Sequence, residues 1–261
     1  MRINGSIIGS NVTTGIVSGA SGIWSMQNVE IANRSRTWPT DIVTNGLVLF
    51  LDANNTNSYP GSGTTWTDLS SYGNTVTLTN GPTFSSTNGG NIVFDGVDDY
   101  ADVIISNLTT TVTLEFWAKY TTATTNNMLF GFNLYDIYAS SGAIGFNTFN
   151  GDIYGLTSTQ VTNLGIIGNW KHIVFVMRSD VSYTNNKIYV NVVNQTLSQA
   201  LSSENAGNRN FNSGNGKISG TRGDSGYKFP GSISSFRAYN RELTASEVLQ
   251  NFNVARARFG L

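Results

Sequence analysis

The segment Val112–Ala118 (VTLEFWA) decides the fold class, because apolar side chains occupy every second position along it. In an extended chain, Val112, Leu114, Phe116 and Ala118 fall on one face. A period of two residues is that of a β-strand with one face turned to a core. The segment therefore predicts a strand of a sheet packed against a second layer.

Similar runs recur from residue 46 to the end of the chain, which favours an all-β architecture. They are Gly46–Leu51, Asn91–Phe94, Tyr100–Ile104, Trp170–Met177, Lys187–Val192 and Ser232–Tyr239. The run Trp170–Met177 is apolar on both faces and is expected at a central, doubly covered position. Asn-Gly dipeptides at 80–81, 88–89 and 150–151 indicate tight turns, because both residues tolerate a positive φ.

The composition supports short strands joined by turns and excludes two classes of function. Charged residues make up 12% of the chain, against about 25% in ordinary domains. The net charge is −1 and no basic run occurs, so no nucleic-acid partner is expected. No apolar stretch approaches the roughly 20 residues of a membrane span.

One short helix is predicted near the C-terminus. Thr244–Glu247 (TASE) has the pattern of a capping box, in which the first hydroxyl and the last carboxylate satisfy backbone amides reciprocally. Leu243 and Val248 flank it at the positions of a hydrophobic staple.

Several segments then occur in a defined order: Trp66–Ser70, Phe94–Tyr100, Leu114–Trp117, Asn169–Ile173 and Gly231–Leu243. Their order and spacing resemble the laminin G-like, concanavalin A-like jelly rolls, over about residues 46–257. The resemblance implies a two-sheet antiparallel jelly-roll sandwich. We therefore assign residues 46–261 to this domain and residues 1–45 to an N-terminal arm.

The arm contains a short helical pattern within Ser21–Arg36, and a helix of this length is marginal in water unless it docks. Its apolar residues are expected to contact other subunits, as an attachment and homo-oligomerisation surface: Trp24, Val29, Ile31 and Trp38. The segment Ser21–Pro39 resembles a short motif of virion proteins from marine and cyanobacterial phages.

The resemblance implies a tailed-phage virion protein: a capsid decoration, capsid fibre or tail-fibre component. The chain has no cysteine, and Met1–Ser6 is not followed by an apolar signal-peptide core, so maturation in the host cytoplasm is expected. Its partners would be other virion proteins and host-surface glycans. A bacterial carbohydrate-binding module or adhesin remains the alternative.

No catalytic residues are predicted. His172 is the single histidine and alternates in phase with Trp170 and Val174, which indicates a structural residue satisfied by a hydrogen bond. Bacterial β-glucanases with a similar fold carry E-x-D-x-E on one strand, whereas Glu115 stands alone. We therefore interpret Glu115 as structural and expect no enzyme activity.

Asp95, Asp98 and Asp99 form the densest carboxylate group, which leaves two interpretations. Calcium favours several oxygens on a flexible loop, but aspartates in a hairpin also cap their own backbone. Related jelly rolls often carry an acidic residue after the position of Ile233, where this chain has Ser234. No metal or other cofactor is therefore predicted.

The stretch 135–154 combines aromatic residues with amides and carboxylates, as sugar-binding sites do. Phe146 is expected to fill the sandwich. The candidate glycan-binding residues are Tyr135, Tyr138, Phe149 and Tyr154, with Asp136, Asn147 and Asp152 for the sugar hydroxyls.

Overall fold

The alternating segment Val112–Ala118 lies within a ten-residue strand, Thr111–Tyr120, of a computed structural model that describes residues 41–221 and 226–261. The other alternating runs also form strands. The arm residues Trp24, Val29, Ile31 and Trp38 lie outside the described residues.

The described elements are strands and short helices. The strands are β1 Leu47–Asp52, β2 Val76–Thr79, β3 Thr83–Ser85, β4 Asn91–Asp95, β5 Tyr100–Ile104, β6 Thr111–Tyr120, β7 Asn127–Gly131, β8 Asp136–Ser140, β9 Ala143–Asn147, β10 Ile153–Leu156, β11 Lys171–Arg178, β12 Lys187–Val190, β13 Val193–Asn194, β14 Ser198–Leu201, β15 Asn215–Ile218 and β16 Pro230–Tyr239. The α-helices are α1 Ser158–Asn163 and α2 Ala245–Ala255, and 3-10 turns cover Thr87–Gly89, Tyr183–Asn185, Ala206–Asn208, Asn212–Gly214 and Arg256–Phe259.

Two eight-stranded sheets make up the described sandwich. The first sheet has the order β13-β12-β11-β6-β16-β4-β3, with β1 also paired to β16. The second sheet has the order β14-β10-β9-β8-β7-β15-β5-β2. The central pairs β6–β11 and β6–β16 are antiparallel, as are the pairs of the second sheet. The predicted all-β, antiparallel jelly-roll sandwich is confirmed.

The core lies between the sheets and follows the predicted alternation. Leu114 and Phe116 of β6 are fully buried in it. On β11, Phe175 points into the same core, whereas Val174 packs on the outer face of the first sheet. Strand β11 lies between β6 and β12. The predicted doubly covered, central position of this strand is confirmed.

Helix α2 begins at the predicted capping box. The Thr244 hydroxyl accepts from the Glu247 amide at 3.3 Å, and the Glu247 carboxylate accepts from the Thr244 amide at 2.8 Å. Leu243 and Val248 are buried in one cluster, as a hydrophobic staple requires. The single short C-terminal helix of the prediction is confirmed. The six-residue helix α1, between β10 and β11, is an addition that the sequence analysis does not predict.

Thr244→Ala is expected to lower the free energy of unfolding by about 1 kcal/mol, since the first-turn amides lose an acceptor. In a domain of this size the melting temperature falls by about 2–4 °C. Ser246→Ala is the control, because among the described residues its hydroxyl hydrogen-bonds only to the Thr244 side chain, at 3.0 Å. Equal melting temperatures for Thr244→Ala and the wild type would show that the cap does not stabilise the helix.

The described end of the arm, residues 41–45, lies against the sandwich. The Val43 amide donates to Asn251 Oδ1 at 2.8 Å, and the Tyr239 hydroxyl donates to the Val43 carbonyl at 3.0 Å. Gln250 Nε2 donates to the Asp41 carbonyl at 2.9 Å. Val43 is buried in a cluster with Leu243 and Val248. Packed structure thus extends at least five residues before the assigned domain boundary at residue 46.

In residues 41–221 and 226–261, no helix combines the length and the apolar character needed to cross a lipid bilayer.

Candidate functional site

Glu115 and His172 are both fully buried beneath α2. His172 Nε2 lies 3.0 Å from Glu115 Oε1, the Arg237 guanidinium contacts the same oxygen, and Asn251 Nδ2 donates to Oε2 at 2.6 Å. Burial by itself raises the pKa of Glu115, but Arg237 and His172 outweigh burial and lower this pKa to about 2.

An ionised carboxylate can only accept hydrogen bonds, so His172 Nε2 is the donor. The imidazole also lies against Phe252 of α2, with ring centroids 5.6 Å apart. No substrate reaches a pair enclosed in this way. His172 thus makes the hydrogen bond that the sequence analysis predicts for it, with Glu115 as its partner.

The Asp95–Asp99 turn places three carboxylates within 4.8 Å of one another. Asp95 Oδ1 accepts from the Val97 amide at 2.7 Å, and Asp99 Oδ2 accepts from the Asp95 amide at 2.9 Å. The Val97 amide lowers the pKa of Asp95, whereas burial raises the pKa of Asp99. These contacts match the self-capping interpretation of the hairpin. The expected absence of calcium stays a prediction.

A pocket of about 180 Å³ opens on the outer face of the second sheet. Strands β7, β8 and β9 place Met128, Tyr138 and Asn147 there, because their neighbours Leu129, Ile137 and Phe146 point into the core. We call this site the aromatic pocket. Its lining residues are Met128, Tyr138, Asn147, Phe149, Gly151 and Tyr227.

Phe149 and Tyr227 at the pocket remain exposed, at 48% and 39%. Both have a left-handed backbone, with φ of 56° and 57°. This conformation is unfavourable for a bulky aromatic residue and is often found at functional sites. The Tyr227 ring lies edge to face with Tyr138, with centroids 6.0 Å apart. The pocket therefore presents several aromatic surfaces in a fixed arrangement.

The loop that carries Phe149 is held by Asp152. This buried carboxylate accepts from the Thr148 amide at 2.9 Å, the Thr148 hydroxyl at 2.7 Å and the Asn150 amide at 3.2 Å. The Asn205 amide in turn donates to the Thr148 hydroxyl at 2.7 Å. Asp152 was predicted to contact a sugar, but the structure gives it the role of fixing the loop.

Asp136 also lies beneath the pocket. Its two carboxylate oxygens accept from Asn147 Nδ2 at 3.1 and 3.2 Å, and it is fully buried. The Asn150 amide donates to Asn147 Oδ1 at 3.3 Å. Asp136 thus orients an amide that lines the pocket.

Tyr135 and Tyr154 do not line the aromatic pocket. Tyr135 is fully buried, accepts from Asn186 Nδ2 at 2.5 Å and stacks on Phe211 with centroids 6.0 Å apart. Tyr154 is half-buried and stacks on Tyr183 with centroids 5.2 Å apart. Tyr135 precedes β8 and turns inward, so it cannot reach a ligand on the outer face. The burial predicted for Phe146 is confirmed.

Three lining residues were not predicted: Met128, Gly151 and Tyr227. The Met128 amide donates to the Tyr227 carbonyl at 2.8 Å, which fixes the segment before β16 beside β7. This pairing joins distant parts of the sequence and leaves no local pattern. The one available signal is the alternation of side chains along a strand over Asn127–Gly131, which would place Met128 on the outer face of the sheet.

A second pocket of about 280 Å³ lies near one edge of the sandwich, lined in part by Thr109, Ser179, Arg209 and Phe211. Arg209 Nε lies 3.3 Å from Glu204 Oε1, which compensates its charge. None of the predicted glycan-binding residues lines this pocket.

The model of one protein family, the concanavalin A-like lectin/glucanases superfamily, matches residues 95–249, more than half of the chain. No curated protein sequence matches the chain.

Solved structures of botulinum neurotoxin receptor-binding domains share the fold. The type C/D mosaic domain has a TM-score of 0.55 at 11% identity, covering 81% of this chain and 52% of its own. The type D domain in complex with N-acetylneuraminic acid has a TM-score of 0.55 at 12% identity, covering 81% and 51%.

A type C structure, described with cell entry that depends on two ganglioside molecules, has a TM-score of 0.56 at 15% identity, covering 80% and 51%. The chain thus spans about half the length of the solved structures that it matches.

Proposed function

The chain belongs to the concanavalin A-like lectin/glucanases superfamily, and on this premise we propose that it is a non-enzymatic glycan-binding protein. The observation that carries the proposal is the pair Phe149 and Tyr227, two exposed aromatics held in a left-handed conformation at one pocket. Such a conformation persists only where the surrounding structure enforces it, as the Asp152 contacts do for the Phe149 loop.

The chemistry of the aromatic pocket suits a sugar. An aromatic ring packs against the apolar C–H face of a pyranose, and a few polar groups fix its orientation. The Tyr138 hydroxyl is protonated at neutral pH, as in any ordinary tyrosine, and can donate a hydrogen bond. Burial raises its pKa further. The ligands named for the type C and type D neurotoxin structures belong to those larger proteins, but they favour a glycan over other small ligands.

The biological setting that we propose is the virion of a tailed phage, with the sandwich as the displayed head. Support comes from the resemblance of Ser21–Pro39 to phage virion proteins and from the absence of cysteine in 261 residues. Residues 1–45 would bind other virion proteins or further copies of the chain. The sandwich would bind host-surface glycans, stabilise the particle, or both.

Phe149→Gly and Tyr227→Gly are each expected to weaken binding to a glycan selected on an array by about tenfold, or about 1.4 kcal/mol. Each change removes one stacking surface. Tyr72→Ala is the control, because Tyr72 is a similarly exposed aromatic (43%) outside the pocket lining. Equal affinities for all three variants and the wild type would contradict the proposal.

Glycine is the informative substitution because it separates binding from folding. Relief of the left-handed backbone stabilises the fold, whereas greater freedom of the unfolded chain opposes this gain. The free energy of unfolding is therefore expected to stay within about 1 kcal/mol of the wild type. Lost binding with unchanged stability would assign the effect to the pocket.

A further inference from the structure

The size of the aromatic pocket limits its ligand. Its volume of about 180 Å³ is smaller than the roughly 300–1,000 Å³ of pockets that enclose drug-sized ligands. Backbone groups at Gly151 are open to solvent, since a Cβ there would meet no atom within 4 Å. The pocket therefore has room for about one sugar ring at a chain end.

The base of the pocket is apolar. Met128 and Tyr138 pack with Ala143 and Ile153 in one cluster on the outer face of the second sheet. Thioether and aromatic surfaces favour a methyl group over a hydroxyl, because burying an unpaired hydroxyl is costly. A sugar with hydroxyl groups alone offers this surface only the C–H face of its ring, whereas an acetamido group adds a methyl.

One side of the pocket offers a hydrogen-bond acceptor. Asn147 is 2% exposed, and its Oδ1 accepts from the Asn150 amide at 3.3 Å. An amide oxygen has two lone pairs, so Oδ1 can accept a second hydrogen bond. Because Nδ2 is held by Asp136, the direction of this oxygen is fixed.

We infer that the aromatic pocket binds a terminal N-acetylhexosamine residue. Its acetamido methyl contacts Met128 and Tyr138, its acetamido N–H donates to Asn147 Oδ1, and its ring stacks against the exposed aromatics. This inference rests on the proposed glycan-binding function and specifies the class of sugar.

Titration of the full-length protein with methyl glycosides tests the inference. The N-acetylglucosamine and N-acetylgalactosamine glycosides each have a matched control, the glucose and galactose glycosides, that differ at the acetamido group. We expect a preference of about tenfold or more for the acetamido sugars. In saturation-transfer NMR, the acetyl methyl should receive the strongest transfer.

A variant pair tests the role of the apolar base. Met128→Leu is expected to keep the preference, whereas Met128→Gln should reduce it by about tenfold. If Met128→Gln fails to fold, saturation transfer to the acetyl methyl in the wild-type protein still shows whether this methyl contacts the apolar base. The N-acetylhexosamine could come from peptidoglycan or from a surface polysaccharide. Titration of the protein with fragments of each, ending in the same sugar, distinguishes these two sources.

The outcomes separate this inference from the proposed function. Equal binding of hexose and N-acetylhexosamine, or array binding only to glycans without an acetamido group, overturns the inference and leaves glycan binding in place. A failure of every glycan to bind overturns both.

Discussion

Replacing Glu115 by alanine is expected to destabilise the folded protein by about 3–5 kcal/mol, since it leaves the buried Arg237 without its counter-charge. His172 and Asn251 also lose their acceptor. Urea unfolding of the purified variant measures the change. Glu242→Ala is the matched control.

Glu242 pairs with Arg178 at 2.7 Å and with Lys187, but its side chain is 26% exposed. Solvent screens exposed ion pairs of this kind, so Glu242→Ala is expected to lower the free energy of unfolding by about 1 kcal/mol or less. Similar losses for Glu115→Ala and Glu242→Ala would show that the buried network does not hold α2 against the first sheet.

The same network sets a pH dependence. The pKa of Glu115 is lowered from 4.5 to about 2 in the folded protein. A lowered carboxyl pKa contributes stability above the unfolded-state value, and that contribution is lost as the pH falls from about 4.5 to about 2. The stabilities of wild type and Glu115→Gln should therefore converge across this range.

Truncation of the N-terminus after residue 40 and after residue 45 is expected to give proteins of different stability, although the two proteins differ by only five residues. Removal of residues 1–40 should leave the unfolding free energy of the sandwich nearly unchanged. Removal of residues 1–45 should cost about 2–4 kcal/mol, because Asn251 and Tyr239 lose buried hydrogen bonds to Val43. Chemical unfolding of both proteins measures the difference.

The shorter truncation also tests attachment. If the arm binds other virion proteins, the protein without residues 1–40 should fold but fail to join particles or oligomers. Incorporation equal to that of the full chain would contradict the proposed role of Trp24, Val29, Ile31 and Trp38. Loss of folding without residues 1–40 would place these residues in the sandwich core.

The strands that the sequence predicted are those whose alternation is strong. Val112–Ala118 and Trp170–Met177 place apolar residues in the core at every second position. The local sequence is therefore enough to predict which side chains face the core. In β8 and β9 the outward positions are Asp136, Tyr138 and Asn147, which are polar or aromatic but largely buried. A sequence that mixes polar and aromatic residues in this way is as typical of a binding loop as of a strand.

The same ambiguity explains which site residues could be predicted. Tyr138 and Phe149 were found because aromatic residues near amides suggest a sugar site. Tyr135 has the same local signature, and only its position before β8 turns it inward. Tyr227 joins the pocket through backbone pairing with Met128, a long-range contact with no trace in the local sequence.

The most direct measurement is the location of a bound glycan, determined by methyl and aromatic NMR chemical shifts of the full-length protein. Binding in the aromatic pocket predicts saturable shifts of Met128, Tyr138, Phe149 and Tyr227, with Tyr72 unchanged. Shifts confined to the second pocket, at Leu108 and Phe211, would show that the glycan binds elsewhere and would contradict the proposed site.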